Sequence, residues 1–267
     1  MNAPHRSALV LPALALALLV APAAVQAQDT VPDEPLRWRV GLGPQLVPSY
    51  PGASGVSLRP FIDVSRARGD DVFAFEAPDE SAGFPVWNRG GFAVGPAIGF
   101  EGERSTGEID VAVPEVGFTV EVGGFAQYQL LPALRLRGEV RKGLGGHKGW
   151  IANIGADYIL RDGDKWLVAA GPRLTLTDRR YQRAYFGVTP DVATATGVAA
   201  YDPDGGVQAV GANIGVLRQL TPRWGVSGYA KYDRLIADAG RSPLVRDYGS
   251  RDQLSGGVAL TYSFGGR

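Results

Sequence analysis

The chain has 267 residues, 27 basic and 27 acidic side chains that cancel, 37 glycines, 19 prolines and no cysteine. The charge balance gives no electrostatic reason to expect nucleic acid as a partner. The lack of cysteine excludes a disulfide framework, a thiol nucleophile and any Cys-based metal centre. One of the two histidines is His5, so a multi-histidine site is excluded as well, and no cofactor is expected.

Residues 1–27 carry Arg6, an apolar run from Ala8 to Val20 and small residues up to Ala27. This is the pattern of a secretory signal peptide. The run is broken by Pro12 and falls short of the ~20 apolar residues a membrane helix needs. Cleavage after Ala27 is expected, leaving 28–35 as a short periplasmic N-terminal segment and 36–267 as one domain without a linker.

Beyond residue 28 helical periodicity is hard to find, and alternation of apolar with polar or small residues dominates. Strands are predicted at 36–47, 57–66, 71–76, 84–88, 92–103, 118–130, 134–142, 148–160, 165–178, 206–220, 223–236 and 252–264. Trp150, Ala152, Ile154, Ala156, Tyr158 and Leu160 form one apolar row, against Asn153, Gly155, Asp157 and Arg161. The next row, Trp166 to Leu176, follows the turn Asp162-Gly163, a strong hairpin signal. Around 118–142, Glu121, Gln127, Gln129, Arg135, Arg137, Glu139 and Arg141 alternate with grease residue by residue.

Aromatics gather near segment ends at Tyr128, Trp150, Tyr158, Trp166 and Trp224. Long strands, a polar opposite face and aromatic girdles predict an all-β fold, a transmembrane antiparallel up-and-down β-barrel. Twelve strands are expected, with ten as the alternative if 84–88 and a neighbour are not strands. Working back from a descending last strand, turns 221–222, 161–164 and 131–133 are periplasmic; loops 237–251, 179–205, 143–147 and 104–117 are outside. An outer-membrane location after export is therefore expected.

The inward row is the first place to look for function. Arg37, Arg39, Arg135, Arg137, Arg141, Arg161, Arg173 and Lys231 are placed there, with Glu121, Glu139, Asp157 and Asp233. Two readings stand open: an ion-pair network that fills the lumen, or an anion-favouring conduit or ligand site. His147 in the glycine-rich loop 143–149 is the one candidate base; Ser105, Ser242 and Ser250 lie in predicted outer loops, with no G-x-S-x-G elbow. An outer-leaflet lipid-modifying enzyme is thus the least supported reading, and a loop position near the interface is expected for His147. Asp70-Asp71, Asp202, Asp204 and Asp233 lack calcium-loop spacing.

Residues 181–264 resemble the C-terminal half of the MipA/OmpV outer-membrane family. The matching elements are Tyr185-Phe186-Gly187-Val188, the small-residue stretch Ala193 to Asp202, Trp224, Arg234-Leu235, Ser242-Pro243 and the closing Tyr262 to Phe264. "VPSYPGAS" at 47–54 resembles the element after the family's first strand. The resemblance implies an outer-membrane barrel without known catalytic residues; some members are described as scaffolds joining a murein hydrolase to a murein synthase, others as porin-like or antigenic. The family usually stops at the aromatic, whereas this sequence continues through Gly265, Gly266 and Arg267.

Tyr185, Phe186 and Tyr201 are expected in an outer loop folded over or into the lumen. The strand 252–264 is expected to close the barrel against Leu36, Trp38, Val40 and Leu42. Its lipid-facing Tyr262 and Phe264 are the expected signal to the barrel assembly machinery.

Overall fold

Period-2 alternation becomes a wall with two chemically different faces. The structure is a computed structural model that describes residues 34–265. The predicted signal peptide, most of the segment 28–35, and Gly266 and Arg267 lie outside the described residues. Strands β1 (Leu36–Pro48), β2 (Val56–Arg68), β3 (Ala82–Gly83), β4 (Trp87–Arg89), β5 (Phe92–Glu101) and β6 (Thr119–Leu131) come first. They are followed by β7 (Leu134–Gly145), β8 (Trp150–Asp162), β9 (Trp166–Thr177), β10 (Gly206–Gln219), β11 (Trp224–Leu235) and β12 (Asp252–Gly265).

All pairings are antiparallel, in the order β2-β1-β12-β11-β10-β9-β8-β7-β6-β5-β3, with β4 also on β5. The chain's first and last long strands therefore meet, and Trp38, Val40 and Leu42 stand opposite Phe264, Tyr262 and Leu260, as the sequence predicts. On β7, Leu136, Val140 and Leu144 are exposed while Arg135, Arg137, Glu139 and Arg141 are buried. A sheet with charges inside and leucines outside is a membrane barrel turned inside-out relative to a soluble one.

Short turns collect at the end that holds the termini, the periplasmic end in barrels of this class. Gly90 and Gly91 sit there at φ 61° and 80°, the left-handed pair that a tight two-residue hairpin requires. The opposite end carries four short helices among the described residues: α1 (Arg179–Phe186), α2 (Pro190–Thr196), α3 (Ala237–Arg241) and α4 (Pro243–Tyr248). The sequence reading expected only loops here. Each of these helices has eight residues or fewer, too short for a repeating stripe to register.

One predicted strand is corrected. Residues 71–77 form no strand; the chain leaves β2 and runs up inside the lumen before β3 and β4 return it to the wall beside β5. Among the described residues there are twelve strands, ten long and two short: β3 and β4 stand in place of the predicted 84–88, and the luminal pass takes the place of the predicted strand 71–76. Phe73, Phe75 and Ala77 keep the two-residue period of an extended chain, which is the same in a wall as in a lumen.

β2 and the β3–β4 strip are the two edges of the sheet, with no backbone pairing between them among the described residues. Arg59 of β2 reaches from its edge to Gly102, just past β5, at the outer end. Its guanidinium lies where a Cβ on Gly102 would stand 2.0 Å from Nη2, so a side chain there would push the arginine aside.

Candidate functional site

The inward cations of the barrel wall outnumber the wall carboxylates that sequence analysis found. Asp63 beside Arg39 and Glu101 beside Arg141 add wall carboxylates, and the luminal pass, residues 69–81, supplies further negative charge. Asp79 receives Arg173 through two hydrogen bonds, Nε to Oδ2 at 2.8 Å and Nη2 to Oδ1 at 3.1 Å. Asn213 Nδ2 donates to Oδ1 at 2.6 Å, and the Lys231 ammonium lies 3.5 Å from Oδ2. Glu80 pairs with Arg135 and lies 3.6 Å from Arg137 Nε.

Backbone and ring contacts fix the rest of the pass. Arg161 Nη1 and Arg135 Nη1 donate to the carbonyls of Phe73 and Phe75, both at 3.0 Å. Asp164 accepts from the Phe73 N–H at 3.0 Å. The guanidiniums of Arg37 and Arg39 lie 5.0 and 4.5 Å from the Phe73 ring centroid, and Arg135 lies 4.3 Å from that of Phe75, within cation–π range. Higher up, Ser81 Oγ donates to Glu139 at 2.9 Å. Pro78 packs where a Cβ on Gly215 would stand 3.3 Å from its ring.

The wall residues are also joined to one another. Asp157 accepts from Arg135 at 2.8 Å and from Arg173 at 2.7 Å. Arg137 reaches Gln127 at 3.0 Å and Glu139 at 3.3 Å, and its guanidinium covers the Phe125 ring at 3.8 Å. Arg141 pairs with Glu139, with Glu121 at 2.8 Å and with Asn153 at 3.0 Å. Lys231 holds Asp233 at 3.0 Å. Arg37 stands half-buried at the periplasmic mouth, 3.5 Å from Asp164.

Above this network lies an apolar cap. Tyr181, Tyr185 and Phe186 of α1 are 1%, 1% and 0% exposed and pack with Tyr50, Val113, Val188, Leu235, Leu244 and Val245. Asp178 caps α1 by accepting from the Tyr181 N–H at 2.9 Å, and the Tyr181–Tyr185, Gln182–Phe186 spacing puts all four side chains on its buried face. Burial pushes the Tyr181 and Tyr185 phenols above their ordinary value, so they remain neutral. Ser242 Oγ donates to the Phe186 carbonyl at 2.7 Å. Tyr201 stays in the cap, donating to the Asp238 carbonyl at 2.9 Å.

His147 lies beneath the cap at 2% exposure, not at the interface as expected. Its Nδ1 accepts from the Gly149 N–H at 3.0 Å, so Nε2 carries the proton toward Glu121 Oε1 at 3.0 Å. The ring packs on Tyr181 with centroids 4.6 Å apart. None of the three loop serines bonds to it: Ser105 pairs with Glu108, Ser242 serves Phe186 and Leu244, and Ser250 serves Asp252. The loop carboxylates are likewise taken, Asp202 by Arg179 and Arg183 and Asp204 by Arg179.

Tyr262 and Phe264 stand on the outer face, their rings stacked at 6.2 Å, with Trp224 4.7 Å from Tyr262. At the periplasmic mouth a cleft of about 550 Å³ is lined by Arg37, Phe73, Pro222, Arg223 and Ser263 among others.

Asp79, Glu80, Phe73, Phe75, Arg59 and Asn213 were not singled out from sequence. The available signal was the acidic pair in "APDES", 77–81, placed directly after an apolar alternation.

The family model described as MltA-interacting protein MipA matches residues 40–264. The chain belongs to the MipA family. With the inverted barrel wall this makes it an outer-membrane β-barrel protein, as the resemblance implied. No curated protein matches.

Among solved structures, an outer-membrane channel from Pseudomonas putida F1 is 11% identical, with a TM-score of 0.37 over 90% of this chain and all of that one. The Ralstonia pickettii toluene transporter TbuX is 9% identical, with a TM-score of 0.32 over 88% of this chain and 90% of that one. Neisserial surface protein A is 10% identical, with a TM-score of 0.26 over 85% and 95%.

Proposed function

We propose that this MipA-family barrel is a non-enzymatic envelope scaffold that associates with the murein-hydrolysing and murein-synthesising machinery. The observation that carries this reading is the filled lumen: ion pairs from the wall meet a pass of the chain itself, and an apolar cap lies over them. A barrel built this way gains anchorage and a fixed periplasmic rim. The family's description as MltA-interacting supports a murein hydrolase as partner.

The periplasmic turns are short, so the contact surface on this reading is the mouth, with Arg37, Phe73, Pro222 and Arg223 around its cleft. The outer face of exposed Leu, Val and aromatic side chains meets outer-membrane lipid. Residues 1–27 direct export, 28–35 form a short periplasmic lead-in, and the strand ending in Tyr262 and Phe264 is what the assembly machinery engages.

Capture from detergent-solubilised envelopes tests the scaffold. Murein hydrolase should be enriched over an unrelated barrel of similar size, and Arg37→Glu/Arg223→Glu should reduce it. Equal recovery on both barrels would overturn the reading.

A further inference from the structure

The luminal pass satisfies the wall in the manner of a bound ligand. The inward cations Arg37, Arg39, Arg135, Arg137, Arg141, Arg161, Arg173 and Lys231 share the wall with Glu121, Glu139, Asp157 and Asp233, and with Asp63 beside Arg39 and Glu101 beside Arg141. Asp79 and Glu80 are delivered among Arg135, Arg137, Arg173 and Lys231 by a segment that is neither strand nor helix. Around them Arg173 and Asn213 hold one carboxylate, Arg135 and Arg137 the other, and Lys231 stands beside the first.

Arg135, Arg137 and Arg173 have side chains 1%, 7% and 8% exposed, so they cannot be left unpaired without a large cost. The pass can therefore leave only in exchange for another anion. Below it, Arg161, Arg39 and Arg37 lead down to the cleft at the short-turn end, whereas the cap seals the other end.

We propose that the lumen is an anion-binding site entered from the periplasmic end, taking a small anion with two adjacent acidic groups, and that Asp79 and Glu80 occupy it as a displaceable self-ligand. Arg173 and Arg135 present the fork that binds carboxylate or phosphate oxygens in pairs. Gly215 gives the pass room to seat Pro78 closely while leaving no side chain that grips it. The site goes beyond the scaffold reading and does not depend on it, since no partner protein enters the argument.

Two measurements on the full barrel in detergent test it, with pyrophosphate and succinate as probes against sodium chloride at matched ionic strength. Asp79→Asn/Glu80→Gln removes the competing charges; calorimetry should find pyrophosphate or succinate bound about tenfold or more tighter than by wild type, because the competent fraction rises. Adding Arg173→Ala should abolish that gain. The chain has no cysteine, so Pro78→Cys provides one thiol on the pass, and its maleimide labelling should speed up several-fold with either probe but not with chloride.

A folded Asp79→Asn/Glu80→Gln barrel, identified by heat-modifiable gel migration, that binds neither probe more tightly than wild type would overturn the proposal. If that variant does not fold, the labelling decides alone: a rate indifferent to both probes overturns it and an acceleration supports it. Loss of hydrolase capture in the scaffold experiment would leave both readouts untouched.

Discussion

Asp79 and Arg173 meet fork to fork across the lumen, 94 residues apart in sequence, with both side chains less than a tenth exposed. The pair fixes the luminal pass to β9, and Asp157 on the neighbouring strand completes the guanidinium's partners. Such a pair adds little beyond what a well-packed apolar pair would give, but breaking it from one side is costly.

Asp79→Ala leaves Arg173 short of a partner and Lys231 with Asp233 alone. A loss of about 3–5 kcal/mol is expected, the usual range for removing one member of a buried pair. Urea unfolding of the detergent-folded barrel measures it, and the double variant Asp79→Ala/Arg173→Ala should be less destabilised than the sum of the two single changes. Strict additivity would mean that the fork does not couple the pass to the wall.

The cap should be separable from the barrel. Phe186 is fully buried against Gly52, Tyr185 and the α3–α4 region, and Phe186→Ala opens a cavity worth about 3–5 kcal/mol. That loss falls on loop packing, since the wall is held by its own hydrogen-bond ladders. Trypsin should then cut after Arg179, Arg180 or Arg183 at least several-fold faster while heat-modifiable migration stays as in wild type. Loss of both together would show that cap and wall fold as one unit.

Much of this architecture was legible because the wall obeys a strict two-residue rule. From Phe118 onward, each predicted strand, turn and face recurs in the structure, and the first-to-last closure at Trp38–Phe264 was readable from two apolar rows. The inward Arg and Glu residues of β7 were equally plain, since each sits between outward-facing apolar residues.

Two things were hidden for physical reasons. An extended chain inside a lumen alternates like one in a wall, so 71–76 read as a barrel strand, whereas Phe73 and Phe75 lie under Arg37, Arg39 and Arg135. The α1 stripe spans only Tyr181 to Phe186, too little periodicity to stand out from a loop, although Asp178 was a usable N-cap signal. His147 was misplaced because glycines on both sides suggested exposure, whereas Gly143 is what gives its ring space: a Cβ there would lie 2.3 Å from Cε1.

Acid should loosen the cap rim. Hydrogen bonds from Arg183 and then Arg179 hold the Asp202 carboxyl down at about 2, below the ordinary carboxylate range. Its contribution is present above that ordinary range, near pH 4, and is lost as pH falls toward 2. Amide exchange across 179–205 should rise between those values in wild type, and Asp202→Asn should show the faster exchange already at neutral pH with no further acid step. An acid step of equal size in Asp202→Asn would assign it to another group.

Phe264 closes the barrel in a different sense. It stands opposite Trp38 on the pair β12–β1 and stacks on Tyr262, facing outward and 46% exposed. Phe264→Ala therefore removes little packing inside the barrel, and its effect should fall on insertion: lower outer-membrane levels by fractionation, with normal unfolding for the molecules that do assemble. Gly265 still pairs with Arg37, but it adds no side chain to this face, so deleting residues 265–267 should leave the level near wild type. Equal levels for Phe264→Ala and wild type would remove the terminal aromatic from the assembly signal, and a drop on deleting 265–267 alone would move that signal beyond it.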